Sequence, residues 1–294
     1  MPIATSPLRY PGGKSCLLPT VSHIIRLNKL HHGHYAEPYA GGCGLALSLL
    51  YGGYVSDIHI NDVDQSIWTF WHVVLNQTED FIALMNATPV TLEEWRRRRE
   101  IQKNIRGLSQ LEVAFTAFFL NRTNRSGIIK NAGVIGGIEQ VGKYKIDCRF
   151  NKEELSRRIR RVNKYRDRIH LHNKDAIEFI SHVENDLPEQ TFLCIDPPYF
   201  HKGSSLYTSF YEPNDHAVVA EKIINLKRPW IITYDRCVEI SNLYASRRQF
   251  EITLNYSAQI KRVGAELLIA SSGLRLPDDI RSSQFHRPQY RAAA

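Results

Sequence analysis

No Cys-x-x-Cys pair occurs in the sequence, and its five cysteines (Cys16, Cys43, Cys148, Cys194, Cys237) are scattered and odd in number. That excludes a disulfide framework and a zinc ribbon, and it predicts a reducing compartment such as the cytoplasm. No apolar run approaches the roughly eighteen residues that span a bilayer, so no membrane partner is expected. The opening Met-Pro-Ile-Ala-Thr-Ser-Pro lacks a basic stretch followed by an apolar one, so export is not expected. Repeats and biased tracts are missing too, which excludes solenoid, collagen-like and low-complexity classes. His31-His32-Gly33-His34 has neither cysteine nor a carboxylate pair at ligand spacing, so no metal is expected.

What is present is ample core material: 43% of the 294 residues are hydrophobic, enough for one large domain or two smaller ones. Charge is the first positive signal. The net +8 comes from one segment, Thr91 to Arg168, which holds 20 Lys/Arg against 9 Asp/Glu, while the rest of the chain holds 18 against 21. Arg96 to Arg99 and the run Arg157, Arg158, Arg160, Arg161 dominate it. Two readings stand: a polyanion footprint, or a solvated helix face paired with Glu93, Glu94, Glu153 and Glu154.

Short apolar runs ending at an acidic residue recur. Tyr54–Ile60 leads to Asn61-Asp62, Arg168–His172 to Lys174-Asp175, Thr191–Ile195 to Asp196, and Trp230–Tyr234 to Asp235. Longer segments of helical spacing lie between them, which predicts an α/β fold: a mainly parallel sheet with helices on both faces. Ligands bind beyond the carboxyl ends of such strands. An acid there is also the ordinary N-cap of the next helix. From about Trp68 to Tyr165 the pattern turns helical and charged, then glycine-bearing, which predicts a helical insertion into the α/β frame.

Three motifs bear on chemistry. Glu37-Pro38-Tyr39-Ala40-Gly41-Gly42-Cys43-Gly44 offers a tight strand-to-helix turn with close backbone approach to a ligand, without the dinucleotide glycine spacing. Pro11-Gly12-Gly13-Lys14-Ser15 is no phosphate-binding P-loop, because Leu8 stands where that motif needs glycine. Asp196-Pro197-Pro198-Tyr199 is the most specific. Its prolines fix φ and remove two amide donors, its carboxylate and a neighbouring carbonyl make two acceptors for one NH2 group, and its tyrosine offers a stacking platform.

In this order the motifs resemble those of Dam-like DNA adenine-N6 methyltransferases, the S-adenosylmethionine-dependent enzymes with an Asp-Pro-Pro-Tyr motif. Arg9-Tyr10-Pro11-Gly12-Gly13-Lys14, Glu37–Gly44, Asn61-Asp62-Val63-Asp64, Asn121–Gly127, Asn173-Lys174-Asp175, Asp196–Tyr199 and Tyr207-x-x-Phe210 with Asp215-His216 carry the resemblance, from about Leu8 to Ser271. It implies a Rossmann-like methyltransferase sheet at 1–67 and 166–272 and a target-recognition domain at 68–165, while the polar stretch at 273–294 predicts a flexible tail. It implies a cofactor site of Tyr10, Lys14, Glu37, Tyr39, Asp62, Asp175 and Asp196, with Asp62 on the ribose hydroxyls, Asp175 near the adenine and Lys14, Glu37 and Tyr39 towards the methionine end. Asp196 and the Pro197 carbonyl would accept hydrogen bonds from the target amine, with Tyr199 stacked on the extruded base. Arg122, Asn124, Arg125, Ser126 and Lys130 would face DNA.

The implied reaction methylates adenine N6 in duplex DNA after base flipping. Cytosine N4, RNA adenine and a non-catalytic DNA-binding module are the alternatives. Arg125 stands where enzymes that methylate GATC carry an aromatic residue, and Lys130 where they carry an arginine, so a GATC site is not implied. Duplex DNA is the expected partner of a cytoplasmic, bacterial or phage-encoded protein, monomer or weak dimer. A cognate restriction endonuclease is compatible with the sequence.

Overall fold

The computed structural model describes residues 5–10, 12–200, 211–256 and 262–286. Eight strands form one sheet in them: β1 (His34–Glu37), β2 (Asp57–Asn61), β3 (Ile169–His172), β4 (Thr191–Ile195), β5 (Trp230–Asp235), β6 (Arg248–Tyr256), β7 (Arg262–Ala270) and β8 (Gln284–His286). Their order is β3-β2-β1-β4-β5-β7-β6-β8. The first five strands are parallel, and β7 enters antiparallel between β5 and β6.

Strands buried on both faces read as continuous apolar runs, as Phe192–Ile195 and Trp230–Ile232 do. Ile231 packs in the cluster that holds Ile24 of α1 (Leu18–Leu27) and Leu47 of α2 (Gly44–Tyr51). Its neighbour Ile232 packs on the opposite face with Phe179 of α8 (Ala176–Asp186), Val219 of α9 (Pro213–Ile224) and Ile240 of α10 (Val238–Leu243). This is a Rossmann-like sheet with helices on both faces. Among the described residues no helix is long and apolar enough to cross a membrane.

Between β2 and β3 the chain inserts α3 (Gln65–Asn76), α4 (Thr78–Ala87), α5 (Leu92–Lys103), α6 (Gln110–Thr123) and α7 (Lys152–Lys164). Asp64, Thr91, Ser109 and Asn151 cap α3, α5, α6 and α7 by accepting backbone N–H groups of the first turn. Helix α6 is buried continuously from Val113 to Thr123, as an apolar helix must be. Its Phe118 meets Phe70, Phe81 and Phe150 at centroid distances of 5.7, 5.3 and 5.5 Å. The same apolar cluster continues through Ile24 and Leu47 to Leu268, so the inserted helices share a core with one face of the sheet.

Much of the arginine run is internally paired. Arg98 is 1% exposed and donates to Glu94, Glu112 and Thr116. Arg157 and Arg158 pair with Glu154, Arg160 pairs with Glu79, and Arg161 lies over the Tyr51 ring at 4.1 Å. These contacts favour the paired-helix reading for both arginine clusters. One departure from expectation concerns the tail expected from residue 273. Leu274, Leu276 and Ile280 are buried in the core, α11 (Asp278–Ser282) follows, and β8 pairs with β6, so the chain stays packed as far as His286. The remainder, 287–294, lies outside the described residues.

Candidate active site

Strand β1 pairs with β2 on one side and β4 on the other, so the order reverses there and the loops beyond their carboxyl ends diverge. A cavity of about 440 Å³ opens at that point, within the size range of small-molecule sites. The glycine loop forms its floor. Gly41 has φ +46°, and a Cβ there would stand 2.6 Å from the Tyr10 ring, so only glycine lets Tyr10 pack on the turn. Gly44 opens α2 with its Cα against Ser15, where a Cβ would lie 2.2 Å from Oγ. Trp71 of α3 donates from Nε1 to the Gly41 carbonyl at 3.0 Å, tying the inserted helices to the same turn.

Asp62 follows β2 and accepts from the Gly41 amide at 2.9 Å and the Asp64 amide at 2.9 Å. Burial raises its pKa to about 7 against those two hydrogen bonds. Asn61, 1% exposed, donates to the carbonyls of Pro38 and Lys174 and accepts from the Lys174 amide, joining the three loops that enclose the cavity. Glu37 lines the same space. Burial raises its pKa to about 8, although it accepts from Tyr35 Oη at 2.9 Å. Tyr39 and Tyr211 share a hydroxyl contact of 2.7 Å at the other wall, and Asp175 both lines the cavity and caps α8.

The Asp-Pro-Pro-Tyr segment leaves β4 at the rim. Lys14 is 7% exposed, and its Nζ reaches Asp196 Oδ1 at 2.8 Å, Glu266 Oε2 at 3.6 Å, the Gly12 carbonyl at 2.9 Å and Tyr199 Oη at 3.4 Å. Thr233 of β5 donates to the same Asp196 Oδ1 at 2.9 Å. Tyr199 donates in turn to Glu266 of β7. Register explains the convergence: Thr233 pairs with Leu268 and Asp235 with Glu266, so alternate side chains of β5 and β7 rise on the face that carries Asp196. Thr233 and Glu266 escaped sequence reading because each sits inside an apolar strand far from any motif.

The loop after α6 divides the DNA-facing candidates. Arg125 and Ser126 are exposed and Lys130 is half-buried, 3.8 Å from Asp64. Arg122 and Asn124 are buried instead. Arg122 donates to the carbonyls of Arg149 and Pro7, and burial lowers its pKa to about 9. Asn124 accepts from Trp95 Nε1 at 2.7 Å and donates to the carbonyl of Ile128 at 2.7 Å. Both shape the loop from inside, because α6 carries its burial through them. Residues 127–131 of the loop line the cavity. Pro11, Tyr207 and Phe210 lie outside the described residues.

A family model described as D12 class N6 adenine-specific DNA methyltransferase matches residues 10–260. The chain belongs to that family. This D12 methyltransferase therefore acts on adenine N6 in DNA, not on cytosine N4 or RNA, and draws on an S-adenosylmethionine-type methyl donor. No curated protein matches its sequence. Among solved structures it is similar to a Pyrococcus horikoshii protein described as a candidate RNA methyltransferase, at 9% identity and a TM-score of 0.40 over 90% of this chain and 85% of that one.

Proposed function

We propose that the D12 methyltransferase binds S-adenosylmethionine itself in the 440 Å³ cavity and methylates an adenine flipped out of duplex DNA onto Asp196, Pro197 and Tyr199. The observation that carries the reading is the state of Asp196. Its Oδ1 is held by Lys14 and Thr233, while Oδ2 takes no hydrogen bond among the described residues. A fixed carboxylate with one spare oxygen at a cavity rim is an acceptor waiting for an N–H donor.

The cavity's residues suit the donor. Gly41 and Gly42 leave room against Tyr10, Asp62 matches a pair of ribose hydroxyls, Glu37 and Tyr39 match the methionine end, and Asp175 stands towards the adenine. When bound, the donor supplies an electrophilic methyl group. The protein's part is to make a poor nucleophile face it. An exocyclic amine has its lone pair delocalised into the ring; accepting both N–H bonds, by Asp196 Oδ2 and the Pro197 carbonyl, turns the lone pair out of the ring plane. Tyr199 stacks on the base, and its hydroxyl is anchored on Glu266. Positioning and electrostatics supply the rate. Extrusion of the base costs about a few kcal/mol.

Donor binding should depend on pH. Asp62 and Glu37 carry pKa values of about 7 and about 8 in the free protein, and a cationic donor with hydroxyls and an ammonium group favours their ionised forms. Affinity for S-adenosylmethionine should therefore rise by about tenfold between roughly pH 6 and pH 8, with protons released on binding. Calorimetry in buffers of different ionisation heat reads both. In Asp62→Ala the dissociation constant should rise and that site's share of proton release should vanish. A pH-independent affinity would place these acids outside the donor site.

We assign target recognition to the insertion, with Arg125, Ser126 and Lys130 as its DNA-facing residues. Arg125→Ala and Lys130→Ala should weaken duplex binding and each lower the salt slope by about one, leaving the melting temperature unchanged. Arg122→Ala should do the reverse and lower the melting temperature, since it frees buried carbonyls. Equal salt slopes for wild type and the two exposed-site variants would exclude them from the interface. Nothing in this reading requires a second copy of the chain or a cognate restriction endonuclease.

A further inference from the structure

Methyl transfer to an amine leaves a proton to dispose of. The N6 lone pair forms the new C–N bond, the donor's C–S bond breaks with its electron pair staying on sulfur, and N6, now cationic with two hydrogens, must lose one. Asp196 Oδ2 is placed to take it, but Asp196 must ionise again before the next base arrives. The proton therefore needs a second station.

The structure points to Glu266. We propose that Glu266, reached through the Lys14 ammonium, accepts the proton that N6 releases, and so acts as a positioning and proton-storing residue for the methyl transfer. The inference rests on the assignment of Asp196 as the amine's acceptor. Lys14 Nζ lies between the two carboxylates, 2.8 Å from Asp196 Oδ1 and 3.6 Å from Glu266 Oε2. Once protonated, the Asp196 carboxyl must turn its O–H towards Nζ; Lys14 then passes one ammonium proton to Glu266 and takes that one from Asp196, ending as the ammonium it began as. Glu266 Oε1 is occupied by the Tyr199 hydroxyl, whereas Oε2 is buried with the Lys14 ammonium at 3.6 Å and no closer hydrogen-bond partner among the described residues. A buried carboxylate oxygen without a donor is stabilised by gaining a proton of its own.

The surroundings favour this direction of transfer. Glu266 is 3% exposed and faces Lys14 and Cys16 from the N-terminal segment, Asp196 and Tyr199 from the end of β4, and Asp235 across the β5 register; its β6 partner is the apolar Ile252. With Asp196 and Glu266 ionised against one lysine, the trio carries a net negative charge that complements the charge growing on N6. Burial holds the Glu266 pKa at about 7, so the group can be charged before transfer and neutral after it.

Two readouts test this with the full chain, S-adenosylmethionine and a duplex carrying the target adenine. In single-turnover methylation the wild-type rate constant should fall about tenfold per unit below roughly pH 7. In Glu266→Gln, which keeps an acceptor for Tyr199, the rate constant should be about 10- to 100-fold lower at pH 8 and that acidic limb should be gone. In the infrared spectrum of the free protein, a carboxyl band titrating near pH 7 should be present in wild type and missing from the variant. A wild-type profile flat through this range overturns the proposal whatever the variant does. So does a variant that is slower but keeps the same acidic limb, which would leave Glu266 as a prop for Tyr199. Asp196→Ala separates this from its premise: if that variant still turns over, the parent assignment fails; if it is inactive and Glu266→Gln is unaffected, only the relay fails.

Discussion

Replacing Asp196 by alanine should leave a protein that binds S-adenosylmethionine and duplex DNA and transfers the methyl group about 10³-fold more slowly, or worse. The size follows from what the carboxylate does. In the proposed mechanism it accepts one N–H of the target amine through Oδ2, and it holds that geometry because Oδ1 is fixed by Lys14 and Thr233. Removing one preorganised partner of the reacting group costs about 10²–10³ in rate, and loss of the near-attack orientation of the amine adds to it. Binding should survive, since the proposed donor contacts come from Asp62, Glu37, Tyr39 and the glycine loop, and the proposed DNA contacts from the loop after α6. Near-normal single-turnover rates would remove Asp196 from the mechanism. Thr233→Val is a milder companion: it frees the carboxylate without deleting it.

Lys14→Met should produce the largest change in stability. Lys14 Nζ stands between Asp196 and Glu266, and taking it away leaves the buried Glu266 carboxylate and the partly exposed Asp196 carboxylate near each other without that cation. Removing one partner of a buried ion pair costs about 3–5 kcal/mol. The loss should depend on pH. Glu266 already sits at about 7 with Lys14 present, far above its unfolded value near 4, and without the ammonium it lies further above it. A carboxyl whose folded pKa is raised stabilises the fold while it is protonated, and that contribution is lost as pH rises through the folded value. The variant's deficit should thus be large at about pH 8.5 and shrink towards about pH 5.5. Thermal melts across that range check it; a deficit that is small and flat with pH would mean that the cluster is solvated and the ammonium dispensable. Transfer activity should be lost alongside, because Asp196 loses the partner that orients it.

How far the sequence discloses this molecule depends on how local each feature is. Asp196-Pro197-Pro198-Tyr199 and Glu37–Gly44 are legible because strand, turn and chemistry are contiguous, and a proline or a glycine has few other reasons to stand there. The alternation of apolar runs with acidic ends gives the parallel half of the sheet and the place of the cavity. The antiparallel half is less visible. Glu266 enters the site through the pairing of β5 with β7, a register that no local pattern encodes, and Thr233 reads as one more residue of an apolar strand.

Charged residues mislead where burial overrides their type. Arg122 and Asn124 look like surface contacts in a loop motif, but α6 is apolar on nearly every side and carries them inward. The apolar run Ala114–Leu120 ahead of them was the available signal. The α7 arginines read in sequence either as a nucleic-acid footprint or as a paired helix face, and the contact of Arg160 with Glu79, distant in sequence, adds to the pairing. Leu274, Leu276 and Ile280 carried a weaker signal of the same kind: three apolar residues in a polar stretch, each of which found the core.

The account's central claim is that this chain methylates adenine N6 in duplex DNA through Asp196. Single-molecule sequencing of plasmid DNA from a methylation-deficient host, expressing either the wild type or Asp196→Ala, tests it most directly. The account predicts N6-modified adenine at every copy of one recurring motif with the wild type and none with the variant. Modified cytosine, unmodified DNA from the wild type, or an equal adenine signal from the variant would contradict it.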